Sequence, residues 1–201
     1  NSRPMLNPDS TQGNAGPTIC VFCGSSAGND PGYDEGAYMF GKLLAERGYA
    51  LVFGGGGLGL MGKVALAARD GGAYIHGILP DFLRHLEPPL DHGEKISITD
   101  SLFVRKAQMM DEADAFVILP GGLGTLDEFG DAITAAQLRV HHKPIVIVNV
   151  VGFFNPLLAM LDHLVQQGFA KPGIKSLFEV TTSSEEAIAL LDNRFHRANA
   201  R

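Results

Sequence analysis

Ala115-Phe-Val-Ile-Leu-Pro-Gly-Gly-Leu-Gly-Thr-Leu-Asp-Glu128 begins as a short apolar run, breaks at a proline and three glycines, and continues with helix-forming residues. A strand with no polar face belongs inside a parallel sheet covered by helices on both sides. The same succession of strand, turn and helix recurs in both directions from this stretch. Strands are predicted at 18–23, 50–53, 74–79, 95–99, 115–119, 144–150 and near 178–181. Helices are predicted over 31–47, 58–70, from a cap at Asp100 or Ser101 to 113, from the glycine turn to about 140, over 155–167, and from Ser184. Regular alternation of this kind gives a doubly wound α/β fold with helices on both faces of a parallel sheet. One domain over 17–201 is expected, preceded by a polar, aperiodic arm over 1–16 that reads as disordered.

The chain has 201 residues, and 22 acidic against 16 basic side chains leave a formal net charge of -6. That balance repels polymeric nucleic acid and anionic membranes, while leaving room for a small anion bound locally. The longest nearly apolar run, Pro144 to Phe154, is far too short to span a bilayer, and the N-terminal stretch has no apolar signal core. The expectation is a soluble, cytoplasmic protein. Cys20 and Cys23 form a C-x-x-C, but inside a strand such a pair points to opposite faces, so both read as buried reduced thiols. The seven histidines show no metal-ligand spacing.

Glycine is the unusual quantity, 25 residues that cluster after apolar runs. In a doubly wound sheet, ligands bind beyond the carboxyl ends of the strands, where the clusters at 54–57 and 121–124 fall. Gly57-Leu-Gly-Leu-Met-Gly62 fits G-x-G-x-x-G, and with Lys63 it fits most of a P-loop. However, Val64 stands where a metal-binding hydroxyl is needed, and no acid ends the following strand to hold a ribose. Ligand contact and simple close packing both remain open for that turn. Gly24-Ser-Ser-Ala-Gly28 spells a nucleophile elbow around Ser26, but Asn29 to Gly32 intervene before the helix, so a hydrogen-bonding loop is the better reading. At the other cluster, successive backbone N–H groups, the helix dipole and the Thr125 hydroxyl converge on a place suited to a phosphate monoester. Thr125-x-x-Glu128 also has the spacing of a capping box, in which Glu128 merely bonds back to the Thr125 N–H. Spacing alone leaves both readings of Glu128 open.

Ile19-Cys-Val-Phe-Cys-Gly-Ser-Ser26, Leu51-Val-Phe-Gly-Gly-Gly56, Gly59-Leu-Met-Gly62, Arg105-Lys106 and Pro120-Gly-Gly-x-Gly-Thr-x-x-Glu128, in this order, resemble the LONELY GUY family. These are cytokinin riboside 5'-monophosphate phosphoribohydrolases, often mislabelled lysine decarboxylases. The resemblance spans about residues 17–192. It implies a Rossmann-like homodimer that hydrolyses the N-glycosidic bond of a nucleoside 5'-monophosphate such as AMP or its N6-isopentenyl form, giving free base and ribose 5-phosphate. It further implies Arg105 and Glu128 as the catalytic pair. Substrate contacts would come from Glu87, Lys106, Gly121, Gly122, Leu123, Gly124, Thr125, Leu126, Asp127 and Thr134. No metal or organic cofactor is expected. Two departures, Leu102-Phe103 in place of Met-His and Ala135 in place of Trp, bear on base preference. The alternative on the same scaffold is a non-catalytic phosphate, nucleotide or molybdenum-cofactor binder.

Overall fold

The computed structural model describes residues 16–90 and 95–199; most of the expected N-terminal arm therefore lies outside the described residues. The strands are β1 (Thr18–Phe22), β2 (Ala50–Phe53), β3 (Ile75–Pro80), β4 (Lys95–Thr99), β5 (Ala115–Ile118), β6 (Ile145–Val148) and β7 (Glu179–Thr181). The helices are α1 (Pro31–Glu46), α2 (Gly59–Asp70), α3 (Leu102–Glu112), α4 (Leu123–Gln137), α5 (Asn155–Gln166) and α6 (Ser184–Asn199). Their starts follow local chemistry. Asp30 caps α1 by accepting from the Gly32 N–H at 2.8 Å, with Pro31 in the first turn, and Ser101 caps α3 by accepting from the Val104 N–H at 3.2 Å.

The strands form one sheet in the order β4-β3-β2-β1-β5-β6-β7, and every pairing is parallel. Alternate residues of β1, β2, β3, β5 and β6 feed two cores. Ile19 and Val21 pack with α1, α2 and α6, while Cys20 and Phe22 pack with α3, α4 and α5. Cys20 and Cys23 therefore lie in opposite layers, both as buried free thiols, and burial pushes both thiol pKa values up. The architecture is the Rossmann-like doubly wound α/β domain expected. No described helix is long and apolar enough to cross a membrane.

Most element ends fall within one residue of the sequence expectation, and two differ by more. The helix expected to reach 140 stops at Gln137, because the chain turns through Arg139 at φ 61°. The strand expected over 144–150 stops at Val148, and 150–152 form a short 3-10 turn. The topology sets the position of the site. From β1 the chain builds the sheet in one direction to β4, then returns to build the other half from β5. The loops leaving β1 and β5 consequently diverge, and a crevice opens between them at the carboxyl edge.

Candidate active site

α4 starts earlier than a capping box would require. Gly122 is its N-cap and makes no side-chain capping bond, so Thr125 lies within the first helical turn and Glu128 one turn further in. The bond from Glu128 back to the Thr125 N–H, open as a sequence reading, is thus replaced by an uncapped helix start. The first-turn N–H groups have no intrahelical partner, and the dipole adds positive potential at the same spot. A Cβ on Gly121 would lie 2.0 Å from the Thr125 Oγ1, so only glycine lets the turn close on that threonine. At Gly122 and Gly124 a Cβ would meet nothing within 4 Å. Those two positions open onto space.

The glycine run after β2 behaves in the opposite way. A Cβ on Gly54 would lie 1.8 Å from the Arg105 Nη2, one on Gly59 2.3 Å from the Ser25 backbone, and one on Gly62 2.1 Å from the Gly57 carbonyl. This turn is closed against the protein itself, which decides the question left open by its G-x-G-x-x-G spacing in favour of packing. Its consequence for the site is Arg105. The guanidinium crosses the ends of two strands, donating from Nε to the Ile78 carbonyl and from Nη2 to the Gly54 carbonyl, each at 3.0 Å. Arg105 is only 7% exposed, and the two carbonyls take up two of its five N–H donors. The other end of α3 is tied to β3 and β4 through His76. Its Nδ1 lies 2.6 Å from Glu112 and its Nε2 2.7 Å from the Ser97 hydroxyl.

Glu87, Arg105, Gly122, Leu123, Gly124, Thr125 and Glu128 line one cleft of about 220 Å³ together with Cys23, Gly24, Ser25 and Met61. Glu128 is buried, and burial drives its carboxyl up to about 7; Arg105 pulls it back, and Asp127 and Glu87 add to the rise. The Glu87 Oε2 is buried with no hydrogen-bond partner among the described residues, an acceptor suited to a ligand hydroxyl. Gly121 lines an adjoining cavity. The structure does not bring the other expected contacts to this cleft. The Lys106 ammonium lies 2.8 Å from Asp127 and 2.6 Å from Asp131, and 5.6 Å from the Phe103 ring centroid. Burial lowers its pKa, but the two carboxylates outweigh this and hold it above the ordinary lysine value. Asp127 and Thr134 face an outer groove with Asp131 and Ala135, and Leu126 is exposed. Helical arithmetic explains the split. Positions 125, 128 and 132 share one face of α4, whereas 127, 131 and 134 share the other.

Ser25 and Met61 are cleft residues that motif reading did not single out. Ser25 sits in the loop expected to hydrogen-bond a ligand, and the Met61 sulfur accepts from the Gly56 N–H at 3.3 Å. Among the described residues that line the cleft there is no lysine, the side chain that a pyridoxal phosphate Schiff base requires.

Residues 61–191 match the family model described as "Possible lysine decarboxylase". A cytokinin riboside 5'-monophosphate phosphoribohydrolase of Arabidopsis thaliana is 41% identical over 174 residues, covering 87% of this chain and 80% of that protein. A probable enzyme of the same name from Oryza sativa subsp. japonica is 40% identical, with 87% and 71% covered. Among solved structures, the Moco carrier protein of Chlamydomonas reinhardtii superposes with a TM-score of 0.68 at 23% identity, covering 90% of this chain and 98% of that one. The molybdenum cofactor binding protein of Rippkaea orientalis gives 0.67 at 23% identity, with 89% and 97% covered. At that identity the likeness is one of fold.

Proposed function

The chain belongs to the family of cytokinin riboside 5'-monophosphate phosphoribohydrolases, and on that premise we propose that it hydrolyses the N-glycosidic bond of nucleoside 5'-monophosphates such as AMP or N6-isopentenyl-AMP, releasing free base and ribose 5-phosphate. The observation that carries this reading is the meeting of Glu128, Arg105 and the uncapped start of α4 in one cleft. The 5'-phosphate sits on the first-turn N–H groups of α4, where Gly122 and Gly124 leave room for it. Its binding energy holds the ribose against Glu128. Breaking the bond from C1' to the base nitrogen builds positive charge on the ribose ring, which a nearby carboxylate stabilises. Glu128 takes that role, and a carboxyl with a pKa of about 7 is also matched to accepting a proton from the attacking water near neutral pH. The Arg105 guanidinium clamps the nucleotide and favours the ionised form of Glu128. The unpartnered Glu87 oxygen is placed to accept from a ribose hydroxyl.

A homodimer is part of the proposal. Phe103, Leu138 and Val140, on α3 and just beyond α4, are 80%, 69% and 76% exposed, large apolar side chains that a second copy would cover. A cytoplasmic location is likewise proposed, with the two free thiols in support. The test is adenine release from AMP by Glu128→Ala and Arg105→Ala. Each is expected to lower turnover by at least about 10²-fold. Near-normal release by Glu128→Ala sinks the assignment.

A further inference from the structure

The crevice between the β1 and β5 loops holds two cavities, and the catalytic cleft is one of them. The other, about 250 Å³, is walled by Ala27, Tyr33, Leu60, Pro120 and Phe153. Gly24, Ser25 and Gly122 line both. The two differ in chemistry. Where the cleft has two carboxylates and a guanidinium, none of the described residues lining the second cavity carries a charge, and its room is about that of eight waters. Tyr33 and Phe153 meet edge to face in its wall, with centroids 5.5 Å apart and an interplanar angle of 78°. Phe153 is placed there by an unusual backbone. Val151, a β-branched residue, sits at φ 52° and Gly152 at φ 73°, and the Asn149 side chain then accepts from the Phe154 N–H at 2.7 Å. Left-handed conformations at β-branched residues are costly and collect where a ligand-facing group must be aimed.

A phosphate seated on the first turn of α4 lies against Gly122, on the edge that the two cavities share. From that edge one cavity leads to the carboxylates of Glu87 and Glu128 and the other to the aromatic wall. We infer that the Tyr33 and Phe153 cavity is a ring-binding subsite for nucleotides whose 5'-phosphate carries a second group through a phosphoanhydride, so that the protein takes dinucleotides of that class across its switch point as well as monophosphates. The uncharged lining argues for a planar ring inside the cavity, with the second phosphate held outside it at the shared edge beside Gly24, Ser25 and Gly122. This inference rests on the reading of α4 as the phosphate seat.

The test uses diadenosine 5',5'-diphosphate, with ADP as the control for the second phosphate and AMP hydrolysis measured on the same preparations. Calorimetry is expected to show the dinucleotide binding at least about tenfold more tightly than ADP, the scale of one base stacked on an aromatic ring. Phe153→Ala should remove that advantage. Ala27→Trp, at an exposed position, should fill the cavity and remove it too, guarding against a folding defect in the first variant. Both variants should leave the KM for AMP within about twofold. A dinucleotide that binds no tighter than ADP, or equally well to both variants, overturns the inference even where AMP is hydrolysed normally. Absence of AMP hydrolysis with variant-sensitive dinucleotide binding overturns the base-release reading and leaves the subsite standing.

Discussion

Two glycine-rich turns, 54–62 after β2 and 121–124 after β5, occupy equivalent places at the carboxyl edge of the sheet and do opposite work. In the first, added methyl groups would strike the protein: the Arg105 guanidinium, the Ser25 backbone and the Gly57 carbonyl. In the second, only Gly121 is confined, and Gly122 and Gly124 face open space at a helix start that nothing caps. A glycine run therefore marks close approach without saying what approaches. The closed turn seats the protein's own cation, and the open turn leaves backbone donors that the proposed function gives to a substrate anion.

Breaking the closed turn gives the largest expected effect. Gly54→Ala drives a methyl into the Arg105 Nη2 and displaces the guanidinium from both carbonyls. Turnover of AMP should fall at least about 10²-fold, with a stability loss of about 1–3 kcal/mol from overpacking, read by denaturant unfolding. Glu128 sharpens the comparison through pH. Its carboxyl is shifted from 4.5 to about 7, so its ionised form is lost as pH falls through that value. The kcat/KM for AMP should rise roughly tenfold per pH unit below 7 and level off above it. The stability sign is the reverse. The folded state holds this proton more tightly than the unfolded chain does, so ionising Glu128 costs folding free energy as pH climbs from about 4.5 past 7. Glu128→Gln should therefore be more stable than the parent by up to about 3 kcal/mol at pH 8 and by little at pH 4.5, while being inactive at both.

Opening the comparison from the other side gives a smaller effect. Gly122→Ala adds a methyl where nothing stands within 4 Å and where φ is -93°, so folding stability should stay within about 0.5 kcal/mol. The KM for AMP should rise about tenfold with kcat nearly unchanged, since only phosphate seating is crowded. An unchanged KM would place the phosphate elsewhere. The smallest effect belongs to the far end of α3. His76→Ala leaves Glu112 and Ser97 without their shared partner, at a cost of about 1–3 kcal/mol in stability. Turnover should stay within about threefold, because Arg105 keeps its own grip on β2 and β3.

The layers of the fold were legible because the strands are apolar throughout and glycine, proline or a polar cap punctuates each junction. The two ends that were misjudged are set by conformations with no composition signal, Arg139 and Val151 in the left-handed region. The site was legible in part. The pairing of Arg105 with Gly54 joins residues 51 positions apart, and nothing in either local motif announces it. Thr125-x-x-Glu128 has the spacing of a cap, but the helix begins at Leu123, so the same residues became part of the cleft. The separation of Lys106, Asp127 and Thr134 from the cleft was readable once α4 was treated as a helix with two faces. What motif spacing could not supply was that Asp127 and Asp131 would draw the Lys106 ammonium to the outer face.

The central claim is that the open turn anchors a 5'-phosphate so that Glu128 and Arg105 can act on the glycosidic bond. The most direct measurement is chromatography of the free bases released from adenosine, AMP, ADP and ATP under identical conditions. Adenine is expected from AMP and none detectable from adenosine. Equal release from adenosine and AMP would contradict it, because the phosphate seat would then contribute nothing to the reaction.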